Sequence, residues 1–128
     1  MIILQRGLLQ FANGKYQDAL DSFSSLSKFG VGFMDFDMEI ISGFASSLDD
    51  ILTAAVNNMA VASLHCCELK KAINILEDLI RKNPFKYLTN VIIYNLCTLY
   101  DLAYNTKYCI RRKRMLQFLA RMYNITTL

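Results

Sequence analysis

The sequence has one histidine, one proline and no tryptophan in 128 residues. With His65 as the sole imidazole, any Cys–His or Ser–His nucleophilic pair has to use that residue. No phosphate-cradling glycine loop, nucleophile elbow or His-Glu-x-x-His motif accompanies it. No uncharged apolar run reaches the roughly 18 residues that a membrane-spanning helix needs. The apolar opening MIILQRGLLQF is broken by Gln5 and Arg6. It lacks a basic leader and a small-residue cleavage site, so it does not read as a signal peptide. The expectation is a cytoplasmic, non-catalytic chain with no cofactor.

What is present is apolar and helical in rhythm. Just over half the residues are hydrophobic and a fifth are charged, which supplies a core and argues against disorder. Four cysteines (Cys66, Cys67, Cys97, Cys109) follow no ligand spacing, and without a secretion signal they are expected as free thiols. The net charge of +3 hides an asymmetry. Residues 1–106 balance to −3, whereas residues 107–128 carry six basic side chains and no acid. The two ends therefore present different surfaces.

Apolar residues recur at helical spacing and strand-type alternation is scarce. The pattern predicts a helix from about Ile2 to Ala12, a turn at Asn13-Gly14, and a second helix from Tyr16 to Lys28 ended by Gly30 and Gly32. Hairpin 1 thus covers about 2–29. Residues 30–50 read as an insertion, with a short helix from Met38 to Ser47 inside it. Hairpin 2 covers about 51–84, its second helix turning Ala72, Ile73, Leu76, Leu79 and Ile80 inward and Lys70, Lys71, Glu77, Asp78, Arg81 and Lys82 outward. Pro84 ends it. Hairpin 3 covers about 87–124.

Two of these hairpins align. GKYQDALDSFSSL (Gly14 to Leu26) against CELKKAINILEDL (Cys67 to Leu79) puts Ala19 on Ala72, Phe23 on Leu76 and Leu26 on Leu79. Gly7 falls against Ala60, with Cys97 at that point in the third unit. Cys67 takes the place of Gly14 in the turn. The third unit departs at Lys113, where a large apolar residue is expected. The alanines are 53 residues apart, more than one repeat of the usual helical-hairpin length of about 34.

Small residues at the helix crossing and a closing proline resemble the tetratricopeptide repeat (TPR). The segment Val56 to Leu102, with Asn57-Asn58, Ala60-Val61, Leu69-Lys70, Leu76-Glu77, Asn83-Pro84, Tyr87-Leu88, Tyr94-Asn95-Leu96, Thr98 and Tyr100, is similar to the C-terminal TPR region of the trafficking protein particle (TRAPP) subunit 12 family. The resemblance implies a single all-α, TPR-like domain of about three stacked antiparallel hairpins, a short solenoid. It also implies a non-catalytic scaffold or adaptor of a vesicle-tethering complex in endoplasmic reticulum-to-Golgi transport and autophagy. The partners implied are other subunits of a TRAPP-type complex, with any membrane contact peripheral, at endoplasmic reticulum or Golgi membranes. Asn57, Asn58, Val61, Tyr94, Asn95 and Thr98, on the first helices of their hairpins, are the candidate partner contacts on the concave face. The first hairpin also opens with no polar capping helix before it, so an apolar edge there is expected to face a missing domain, a partner or, by self-association, a second copy.

Three constellations compete with this reading. His65, Cys66 and Cys67 look like the start of a zinc site, but a structural site needs four ligands and the alignment places the trio in a turn. Asp35, Asp37, Glu39, Asp49 and Asp50 cluster in the insertion and read as a solvated loop. The basic surface Lys107, Arg111, Arg112, Lys113, Arg114 and Arg121 offers rival functions: meeting the acidic surface of a protein partner, or binding nucleic acid or an anionic membrane, with nucleic acid disfavoured. Its plainer reading is an end helix that docks Tyr108, Met115, Leu116, Leu119, Ala120, Met122 and Tyr123 and faces water with its charges. A generic TPR peptide-binding module is a further alternative. The carboxylate clamp of co-chaperone TPR domains is disfavoured, because Leu4 and Leu8 stand where it places lysine and asparagine.

Overall fold

The computed structural model describes residues 2–33 and 42–123, with side chains described for residues 2–28 and 47–123. Among the described residues it is all-helical: seven helices and no strand. No described helix is long and apolar enough to cross a membrane. The chain divides into two compact units, Met1–Glu68 and Leu69–Leu128. The two helices expected to form hairpin 2 therefore belong one to each unit.

The first unit holds α1 (Ile2–Ala12), α2 (Tyr16–Phe33) and α3 (Ser42–His65). Both α1 and α3 pack on α2. The contact of α1 with α2 depends on one missing side chain. A Cβ on Gly7 would stand 2.5 Å from the Phe23 ring, which is itself buried. Phe23 joins Ala19, Leu20 and Ala62 in the core, with Leu4, Phe11, Met59 and Cys66 packed around them. Gly30 and Gly32 do not end α2, which runs on through both to Phe33. Glycine costs a helix interior only about 1 kcal/mol, too little to stop it alone. Asp49 and Asp50 lie in α3 rather than in a loop, and Asp35, Asp37 and Glu39 lie outside the described residues. Of the helix expected from Met38 to Ser47, residues 42–47 form the start of α3 and the rest lies outside the described residues.

The second unit holds α4 (Leu69–Lys82), the one-turn α5 (Pro84–Tyr87), α6 (Asn90–Ala103) and α7 (Thr106–Met122). Helix α4 packs on α6, and α6 on α7. Ala72, Ile73, Leu76, Leu79 and Ile80 are buried as the periodicity requires. Three short polar residues start the later helices. Asn83, Thr89 and Asn105 accept hydrogen bonds from the backbone N–H of Lys86, Ile92 and Tyr108, at 3.2, 3.4 and 3.1 Å. These caps satisfy donors that a helix start leaves orphaned. Thr89 explains why α6 begins at Asn90 rather than near Tyr87.

The two aligned turns are the same turn. Gly14 and Cys67 both adopt positive φ, at 73° and 63°. Gly14 N–H donates to the Phe11 carbonyl and Lys15 N–H to that of Gln10; Cys67 and Glu68 donate to Leu64 and Ser63 in the same pattern. Each is a Schellman motif with its left-handed residue just past the helix. The aligned core positions also match in burial: Ala19 and Ala72, Phe23 and Leu76, Leu26 and Leu79 are all buried.

Candidate functional site

The histidine and its two neighbouring cysteines close the α3 end of the first unit. His65 stacks on Tyr16 at 4.6 Å and meets Phe11 edge-on at 4.9 Å. Its ring is thus held by aromatic neighbours. Cys66 is half-buried and Cys67 exposed. Among the described residues no three of His, Cys, Asp or Glu come together as a metal-ion cage.

The second unit contains two acid–base knots that tie α7 down. Glu77, expected outward, is 12% exposed and accepts from Tyr100 Oη at 2.7 Å, Arg112 Nη1 at 3.0 Å and Arg81 Nη2 at 3.0 Å. Burial, and then the hydrogen bond to Glu77, push the Tyr100 phenol above the ordinary tyrosine range. The Arg112 guanidinium also lies over the rings of Tyr100 and Tyr104, at 5.9 and 5.7 Å. In the other knot Asp101 accepts from Lys113 Nζ at 2.7 Å and from Cys109 Sγ at 2.9 Å. Those two hydrogen bonds, the one from Cys109 foremost, hold the Asp101 carboxyl below its usual range, and the same bond raises the Cys109 thiol. Burial raises the Cys97 thiol. Lys113 sits where the alignment calls for an apolar residue. The residue is half-buried, with Asp101 binding its charge at the surface.

These knots set the rotation of α7. Its buried residues are Cys109, Leu116 and Ala120, with Leu119 and Tyr123 half-buried. Tyr108, Met115 and Met122, expected in the docking stripe, are instead exposed. Of the six basic residues, Arg112 and Lys113 pair inward with Glu77 and Asp101. Lys107, Arg111, Arg114 and Arg121 are exposed and have no ion pair among the described residues.

The six expected contact residues divide between the units. Asn57, Asn58 and Val61 are half-buried on α3, while Tyr94, Asn95 and Thr98 lie on α6. The Thr98 hydroxyl donates to the Tyr94 carbonyl at 3.0 Å, which ties it to its own helix. Tyr94 is 68% exposed, and Val91 and Leu102 are 60% and 59% exposed. Spacings of three and eight residues put these three on the outward side of α6, opposite the buried Ile92, Leu96 and Leu99. Val91 and Leu102 were legible only as extra apolar positions beyond the number one helix face needs. Comparison with protein-family models, with curated proteins and with solved structures finds no match for this chain.

Proposed function

We propose that this chain is a non-catalytic helical scaffold or adaptor whose hairpins stack as a TPR-like array and whose α6 packs against another protein subunit. The observation that carries the reading is the apolar stripe Val91, Tyr94 and Leu102, large side chains left open on one helix face. Burying such surface yields about 25 cal/mol per Å², so a partner that covers it gains affinity. The sequence resemblance across Val56 to Leu102 supports one assembly as the setting: a TRAPP-type vesicle-tethering complex in endoplasmic reticulum-to-Golgi transport and autophagy. In that setting Asn57, Asn58, Val61, Asn95 and Thr98 are further contacts, and the chain is cytoplasmic or peripheral at those membranes. Affinity purification with mass spectrometry tests this. Tethering subunits should co-purify with the intact chain and be depleted with Val91→Asp/Tyr94→Asp; absence of every TRAPP-type subunit sinks the tethering assignment.

Helix α1 favours a second contact. Ile2, Leu8 and Leu9 are exposed on it, and a second copy of the chain is the proposed occupant. Light scattering after size exclusion should show a dimer that Leu9→Asp dissociates; a monomer at every concentration removes this contact.

A further inference from the structure

The outward face of α7 carries two stripes at one spacing. Tyr108, Met115 and Met122 recur every seven residues, with Phe118 between the last two, and each exposes more than half of its surface. Lys107, Arg114 and Arg121 recur at the same interval, each one position earlier in the chain, and all three are exposed without an ion pair among the described residues. A seven-residue repeat keeps such stripes side by side along a helix, an apolar seam with a basic flank, in which Arg111 holds the seam position after Tyr108 that Phe118 holds after Met115. No acid lies anywhere on α7 to neutralise that flank.

We propose that α7 docks an acidic amphipathic helix of a protein partner. The partner helix lies alongside in coiled-coil register, its apolar residues on Tyr108, Met115, Phe118 and Met122. Its glutamates or aspartates face Lys107, Arg114 and Arg121. Charge complementarity selects the acidic partner, and the shared heptad spacing selects a helix. Nucleic-acid phosphates would engage the cations and leave Phe118 and the methionines in water. An anionic bilayer would take both stripes, but the seam borders a groove in which Met115, Leu116, Leu119, Ile80 and Leu96 line one part and the Glu77, Arg81, Tyr100 and Arg112 side chains the rest. Side chains projecting from a helix fill such a groove, and a flat headgroup layer does not. The unbranched methionines adapt to the partner's side chains. This face is separate from the α6 stripe, and its partner is defined by chemistry rather than by the tethering assignment.

The test is a display selection on the full chain, using a library of heptad peptides with Glu, Lys, Gln or Ala at the flanking positions. The intact chain should enrich peptides with acids at those positions. The variant Lys107→Glu/Arg114→Glu/Arg121→Glu should enrich lysine instead. Met115→Asp should weaken the best acidic peptide at least about tenfold, as loss of a central apolar anchor does. All four substituted side chains are exposed, and unchanged circular dichroism confirms folding. Enrichment without charge preference, or none, overturns the proposal. So does co-sedimentation with phosphatidylcholine–phosphatidylserine vesicles by a chain that enriches no peptide, which assigns the face to a membrane.

Discussion

Cys67 holds a backbone conformation that costs a side-chain-bearing residue about 1–2 kcal/mol and costs glycine nothing. The aligned turn has Gly14 at that point, and the Cys67 side chain is exposed. Cys67→Gly is therefore expected to raise stability by about 1 kcal/mol in urea denaturation. Destabilisation would mean the thiol contributes something the turn geometry does not explain. Gly7 shows the opposite case. Alanine there gains about 1 kcal/mol in helix propensity but drives its Cβ into the Phe23 ring. The ring is buried in the core, so overpacking should win. Gly7→Ala is expected to lower stability by about 1–2 kcal/mol net, read in the same assay. Both positions were legible in the sequence, because the alignment singled out Gly7 as a close approach and Cys67 as a glycine substitute. What the sequence did not reveal is why a cysteine was kept, and nothing in the structure explains it.

Helix identities and most helix ends were legible because apolar spacing and the Gly14 and Pro84 signals are local. The rotation of α7 was not. Its apolar residues outnumber one face, and which of them turn inward depends on Arg112 and Lys113 reaching acids that lie 35 and 12 residues away in sequence. Glu77 is the sharper miss. On α4 alone it belongs to the charged face, and only the Tyr100 hydroxyl and Arg112 draw it under cover. Removing it orphans both partners, so Glu77→Ala is expected to cost about 2–3 kcal/mol. Arg81→Ala, which removes only exposed pairs with Glu77 and Asp78, should cost about 0.5 kcal/mol or less. Equal losses would contradict the knot. The raised Tyr100 pKa gives it a pH signature. The phenol's contribution is complete below the ordinary tyrosine pKa of about 10 and declines as pH rises above it. Ultraviolet titration should show a tyrosine step above the ordinary range, and Tyr100→Phe should remove it.

At the scale of the molecule, two helical units carry their open apolar and basic surfaces on separate helices: α1 in the first, α6 and α7 in the second. The all-helical character was written in the periodicity throughout. The division at Glu68 was not, because the turn there copies the hydrogen bonds of the Gly14 turn and reads as one more hairpin bend. Of the three exposed apolar residues of α6, the sequence singled out Tyr94 as a candidate contact and passed over Val91 and Leu102. The central claim is that α6 is covered by a protein subunit. Hydrogen exchange with mass spectrometry, on the chain alone and in the assembly purified from cells, tests it most directly. The account predicts slower exchange across residues 90–103 in the assembly, reversed by Tyr94→Asp. Identical exchange across α6 in both states would contradict it.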